Sequence, residues 1–140
     1  MLEVQYRMFP TIRKFPSDAF YEGKINDGDS VITRELDKTM NNLAAHFSRV
    51  VFFDIKGSVE KQLDLSRVNI IEANFTFQLI QTLIKLSGNK SLQTLKKRIG
   101  LVTPYKGQVR LLRTKLEDYM YLFDCKKGDM NINSVDAYQG

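Results

Sequence analysis

The sequence predicts an α/β domain in which a parallel sheet is flanked by helices, and three observations carry that prediction. First, Val50-Val51-Phe52-Phe53-Asp54-Ile55 is an apolar, β-branched and aromatic run ending at Gly57, the pattern of a buried strand. Second, Ser66 to Leu86 carries apolar residues at helical spacing. Third, the order repeats, with a strand at Ile99-Gly100-Leu101-Val102, a helix from Gln108 to Leu122 and a strand at Asn131 to Val135. Two consecutive strand–helix–strand units join parallel strands and cover them with helices.

Taken in order, Pro10 to Tyr21 reads as a short helix, a turn at Pro16-Ser17, and a second helical turn capped by Ser17. Gly23 to Ser30 is a loop by its Gly, Asn and Asp content. Thr33 to Phe47 is ambiguous, since Leu36, Met40 and Leu43 permit a helix without requiring one. In the long helix Ser66 is the expected N-cap. Ile71, Phe75, Leu79, Leu83 and Leu86 form its main stripe, widened by Ile70, Phe77, Ile80 and Ile84, so it should lie against a sheet. Gly88-Asn89-Lys90 ends it. Thr103-Pro104 stops the next strand, and Val109, Leu112, Leu116 and Tyr119 form the inward side of the helix that follows.

At 140 residues with 43% hydrophobic and 26% charged content, the chain is an ordinary globular sequence able to bury a core. Lys and Arg exceed Asp and Glu by 21 − 16 = 5, and the pI of about 9.3 suits a polyanionic partner. Cys125 and His46 are the only residues of their types, which excludes a disulfide framework and a Cys/His metal site. A lone cysteine points to a reducing intracellular compartment, nuclear or cytoplasmic. No apolar run approaches the ~18 residues of a membrane span, and no secretory signal follows Met1. The chain opens densely at Met1-Leu2-Glu3-Val4 and closes abruptly at Gln139-Gly140, so both ends read as cuts inside a larger protein.

Self-contained catalytic motifs are missing: there is no G-x-x-x-x-G-K-S/T phosphate loop and no nucleophile–histidine pair. Three segments remain. In Gln5-Tyr6-Arg7-Met8-Phe9-Pro10 an Arg stands beside an aromatic, which could offer a guanidinium fork to phosphate and a ring to a base. A buried Tyr and an Arg paired to a carboxylate fit the same residues. Thr103-Pro104-Tyr105-Lys106-Gly107-Gln108 places a hydroxyl, a lysine and N–H groups at a helix start, a ready phosphate site. A Thr N-cap followed by Pro in the first helical position fits it equally. Ser134-Val135-Asp136-Ala137-Tyr138-Gln139-Gly140 ends a strand in small and polar groups that can face a sugar–phosphate backbone, though strands often end so.

In this order the segments resemble the signatures of superfamily 1B RNA/DNA helicases of the up-frameshift and senataxin group. Leu2 to Gly23 is similar to motif IV, Ile99 to Gln108 to the signature that follows it, and Ser134 to Gly140 to the start of motif V. Asn69, Glu72 and Ala73 match an N-x-x-E-A pattern of the group. Leu2-Glu3-Val4-Gln5 and Phe52-Phe53-Asp54-Ile55 lie nearer to the senataxin type.

The resemblance implies a fragment, over residues 1–140, of the second RecA-like domain of a P-loop NTPase helicase, a 5'-to-3' translocase. It implies ATP as cofactor, with Mg2+ and most phosphate ligands supplied by the first RecA-like domain. Arg7 would reach the γ-phosphate as the catalytic arginine, Tyr6 would stack on adenine, and Gln5 would support that corner. Gln139 and Gly140 would begin the nucleotide side of motif V. Thr103, Pro104, Tyr105, Ser134, Val135 and Asp136 would line the path of single-stranded RNA or DNA. One departure is Phe9, where the group usually has His, and local repacking of the helix start is expected there. The phosphate loop, a ribose-binding Glu and a second arginine lie outside these residues, so the chain alone should be inert as an ATPase. The alternative is a non-catalytic nucleic-acid-binding or scaffold module that keeps the helicase fold.

Overall fold

The computed structural model describes residues 3–34, 43–87, 98–121 and 130–138. The chain forms two compact units, Met1–Phe53 and Asp54–Gly140.

In the first unit β1 (Val4–Gln5) pairs in parallel with β2 (Asn26–Asp27), Val4 opposite Asn26 and Gln5 opposite Asp27. Between them runs α1 (Pro10–Phe20), with Phe9 as N-cap and Pro10 in the first turn, where a missing N–H costs nothing. The expected turn at Pro16-Ser17 is not formed. Pro16 lies inside one continuous helix, and Ser17 is fully buried rather than a cap. The Ser17 hydroxyl accepts the Ile25 N–H at 3.2 Å and its carbonyl accepts those of Tyr21 and Gly23, both at 3.0 Å. This anchoring of Ser17 to the returning chain holds the helix across a proline that would ordinarily break it. The expected loop at Gly23–Ser30 contains β2 and opens α2 (Asp29–Ile32), whose Val31 is 1% exposed. The ambiguous stretch from Thr33 to Phe47 lies largely outside the described residues.

The second unit begins with a hairpin, β3 (Lys61–Leu63) antiparallel to β4 (Ser66–Val68), turning through Asp64 at φ 52°. Next come α3 (Ile70–Ser87), β5 (Gly100–Thr103), α4 (Lys106–Tyr121), β6 (Asn131–Ser134) and a 3-10 turn at Asp136–Tyr138. Strands β5 and β6 are parallel, in register from Gly100 opposite Asn131 to Thr103 opposite Ser134. Helix α4 crosses between them and packs on both, on β4 and on α3. Its Val109, Leu112 and Leu116 are buried as expected, and Tyr119 meets Phe77 of α3 edge-to-face at 5.2 Å. Ala73, Ile80, Ile84, Val68, Met130 and Ile132 complete the core.

Four expectations change here. Ser66 does not cap the long helix, because it belongs to β4, and Asn69 does so instead. The stripe led by Ile71 is not the buried one: Ile71 is 44% exposed, while Ala73, Ile80 and Ile84 are buried, and the helix packs on α4. Val50–Ile55 is not a buried strand. It forms no ladder among the described residues, and Val50 and Phe52 are 61% and 89% exposed. An apolar run supplies side chains for a core but not the neighbouring backbone that a strand requires. Of the two consecutive strand–helix–strand units expected, only β5–α4–β6 is formed among the described residues, while β1–α1–β2 is a parallel unit that was not expected. The expected helix end at Gly88-Asn89-Lys90 and Cys125 lie outside the described residues. No described helix is long and apolar enough to cross a membrane.

Candidate functional site

Arg7 sits on a turn whose shape is set by the Gln5 amide. Gln5 Oε1 accepts the backbone N–H groups of Arg7 at 2.8 Å and Met8 at 2.7 Å. Its Nε2 donates to the Met8 carbonyl at 2.7 Å and to Asp27 Oδ1 at 2.6 Å, so every bond an amide can make is made. Asp27 also takes a two-pronged bond from Arg13, Nε to Oδ1 at 3.1 Å and Nη2 to Oδ2 at 2.9 Å. The Arg13 hydrogen bond foremost, then that from Gln5, holds the Asp27 carboxyl below its ordinary value of 3.8. A lowered carboxyl contributes its stabilisation above pH 3.8 and loses it only as pH falls through the lower folded value. At neutral pH the network is intact.

The same turn is held from a second side. Arg34 donates from Nη1 to the Arg7 carbonyl at 3.0 Å and from Nη2 to the Tyr6 carbonyl at 3.1 Å. The Phe9 ring receives the Arg49 guanidinium at 3.9 Å and that of Arg34 at 5.7 Å. A neutral aromatic face attracts both cations, where a protonated imidazole would repel them, which accounts for Phe at this position. With the backbone fixed, the Arg7 side chain is exposed and the Tyr6 ring is 64% exposed. A Cβ at Gly28 would overlap the Tyr6 ring, so glycine there gives the ring its place. The alternative of a core Tyr is not met, since Tyr6 is exposed, and the arginine paired to a carboxylate here is Arg13, which holds Asp27.

The other two segments meet in the second unit. The parallel register sets Thr103 beside Ser134 at the carboxyl ends of β5 and β6. Pro104 and Tyr105 continue from one strand, and Val135 and Asp136 from the other, Pro104, Val135 and Asp136 being exposed. Thr103 is not the helix cap. Helix α4 starts at Lys106, the Tyr105 carbonyl accepts from Val109 at 3.1 Å, and Thr103 Oγ1 receives only a long 3.4 Å bond from the Tyr105 N–H. Of the N–H groups expected to face phosphate, that of Gly107 is already taken by Ser66 Oγ at 2.8 Å. Gln139 and Gly140 lie outside the described residues.

Behind this edge, Gln108 and Asn69 close a reciprocal pair. The Asn69 N–H donates to Gln108 Oε1 at 2.8 Å, and Gln108 Nε2 donates to the Asn69 carbonyl at 3.1 Å, both residues buried. Asn69 Oδ1 also accepts the Glu72 N–H at 3.1 Å, the N-cap bond of α3. Ala73 is fully buried one residue further on. The Asn of the N-x-x-E-A pattern and the Gln of T-P-Y-x-x-Q thus lock the starts of two helices to each other behind the strand ends. Arg13, Asp27, Gly28 and Arg34 were not found from the sequence. Each acts on a residue distant along the chain, and no local pattern signals that.

The whole chain, residues 1–140, matches the family model described as an AAA domain. The chain belongs to this family of senataxin-like superfamily 1 helicases. Among its helicase relatives, the probable helicase MAGATAMA 3 of Arabidopsis thaliana is 32% identical over 146 residues, covering all of this chain and 17% of the relative. The 5'-3' DNA helicase ZGRF1 of Mus musculus is 32% identical over 143 residues, all of this chain and 7% of the relative. The probable helicase senataxin of Mus musculus is 31% identical over 140 residues, 99% of this chain and 5% of the relative. The chain thus spans between 5% and 17% of the length of these three relatives.

Proposed function

We propose that the chain is part of the second RecA-like domain of an ATP-dependent RNA/DNA helicase, and that it carries two surfaces. One, built on Gln5, Tyr6 and Arg7, faces nucleotide. The other, at Thr103–Tyr105 and Ser134–Asp136, carries single-stranded nucleic acid. The observation that supports this best is the Thr103–Ser134 register, which brings two segments, separate in sequence, to one carboxyl edge. That edge is where open α/β sheets bind ligands.

An exposed aromatic beside an exposed, backbone-tethered arginine fits an adenine and a phosphate. Tyr6 would stack and Arg7 would neutralise charge that develops on the transferred phosphoryl group. Gln139 and Gly140 would extend the nucleotide side. Mg2+ and the other phosphate ligands would come from a first RecA-like domain, so the 140 residues alone should not turn over ATP. Contacts along the strand edge would be to backbone, hence salt-sensitive and weak in base preference. The family resemblance and the similarity to the 5'-3' DNA helicase from mouse support movement in the 5'-to-3' direction. The lone cysteine favours a nuclear or cytoplasmic place.

Thr103→Ala in the complete protein should weaken binding of a single-stranded oligonucleotide about fivefold, the scale of one ~1 kcal/mol hydrogen bond, with basal ATP turnover unchanged. Unaltered affinity would remove the β5–β6 edge from the path. Gly28→Ala should push the Tyr6 ring aside and weaken a fluorescent ATP analogue about tenfold, within the ~1–3 kcal/mol of an aromatic–base stack. Equal affinity in parent and variant would take Tyr6 out of the nucleotide site.

A further inference from the structure

Beside the proposed strand path, the β3–β4 hairpin and the start of α4 enclose a cleft of about 180 Å³. Glu60, Arg67, Glu72, Pro104 and Tyr105 are among its lining residues. The Arg67 guanidinium lies over the Tyr105 ring, 6.0 Å from its centroid. We propose that this cleft receives a nucleobase of the bound strand, sandwiched between Tyr105 and Arg67, with its edge toward Glu60 and Glu72. The proposal rests on the assignment of the β5–β6 edge as the nucleic-acid path, and it adds Arg67, Glu60 and Glu72 to it.

The spacing favours a flat guest. Successive stacked bases lie about 3.4 Å apart, so a base between two planar groups needs them about 7 Å apart. Arg67 has to withdraw by roughly 1 Å from its present 6.0 Å to admit one. Little opposes that movement. Arg67 Nη1 holds Glu60 Oε2 at 2.8 Å, but the two side chains are 59% and 45% exposed. Such surface pairs are worth about 0–1 kcal/mol. Tyr105 is held more firmly, because the Gln108–Asn69 pair and the Gly107–Ser66 bond fix the start of its helix. The rigid ring is the platform and the arginine is the cover.

Charge selects a base over a phosphate. Two carboxylates, Glu60 and Glu72, and one guanidinium, Arg67, are among the groups lining the cleft, so a phosphate entering it would be disfavoured. The same carboxylates accept hydrogen bonds from an exocyclic amino group, as acidic side chains do from cytosine N4. Bases carrying that group, cytosine and adenine, should therefore be preferred over uracil or thymine. The phosphates would lie outside, along Thr103 and Ser134.

The test is the affinity of the complete protein for oligocytidine across a range of salt concentrations. Arg67→Ala should weaken binding about tenfold, within the ~1–3 kcal/mol of a stacked base, and leave the slope of log affinity against log salt unchanged. Tyr105→Phe should bind as the parent does, and Tyr105→Leu should weaken binding as Arg67→Ala does. Parent protein should prefer oligocytidine to oligouridine, and Glu60→Gln with Glu72→Gln should narrow that preference. A slope reduced by about 0.7 in Arg67→Ala would mean a phosphate contact and would overturn the base pocket. Unchanged affinity in Arg67→Ala beside weaker binding in Thr103→Ala would overturn the pocket and leave the path standing. Unchanged affinity in both would overturn the two together.

Discussion

Arg7→Ala in the complete protein is expected to lower strand-stimulated ATP turnover by about 10³–10⁵-fold, the range an arginine of this kind supplies to phosphoryl transfer. Affinity for single-stranded nucleic acid should stay within about twofold, inside the ±0.5 kcal/mol typical of surface substitutions. The variant should fold, because the turn does not depend on this side chain. Gln5 binds the Arg7 N–H and Arg34 binds its carbonyl, so alanine keeps both bonds. Arg7→Lys separates charge from geometry. Lysine restores a cation but not the planar fork, and turnover should recover only in part. Equal turnover in parent and Arg7→Ala would remove the residue from its proposed role. Loss of strand affinity together with turnover would show that the turn serves the nucleic-acid path instead.

The second large effect is expected at Gln108. Alanine there leaves the buried Asn69 N–H without its partner, at a cost of about 1–3 kcal/mol, and strips the Asn69 carbonyl of one of its two donors, the Ala73 N–H remaining at 3.0 Å. A loss of about 2 kcal/mol in local stability is expected, read by hydrogen exchange in the complete protein. Protection should fall at 69–73 and 107–109, where the two helices start, and stay unchanged in Met1–Phe53. The exposed neighbour Arg110→Ala should change exchange little, within about 0.5 kcal/mol. Equal protection in parent and Gln108→Ala would mean that the apolar contacts between α3 and α4 hold the helix starts without the amide pair.

What the sequence made legible follows the reach of each interaction. Helix α4 and its buried Val109, Leu112 and Leu116 were readable because helical spacing is local, and strands β5 and β6 because turn residues bound them. The capping residue of α3 was misplaced because Ser66 and Asn69 are both good caps. Only the fold decides that the Ser66 hydroxyl serves Gly107, 41 positions away. Val50–Ile55 failed for the converse reason, since its composition is right but no ladder partner is described. At the candidate site Gln5, Tyr6 and Arg7 are proposed from their neighbours in sequence. Gly28 and Asp27, which shape that turn from 22 positions or so away, are not. The nucleic-acid residues were named as two segments, and their meeting at one edge came from the strand register alone.

That register also acts as a ruler. Neighbouring strands lie about 4.8 Å apart, so Thr103 and Ser134 present their hydroxyls as adjacent rungs spaced across the sheet rather than along it. A polymer gripped by both must lie crosswise over the strand tips, in the direction of the sheet's own hydrogen bonds. Displacing that polymer by one unit then means passing it sideways from one strand tip to the next. A slip of β6 by a single residue would put Asn133 or Val135 at the rung beside Thr103 and turn the Ser134 side chain to the opposite face. On the proposed assignment, the spacing of the track is written in the backbone, and side-chain substitution at Thr103 or Ser134 should leave its pitch unchanged.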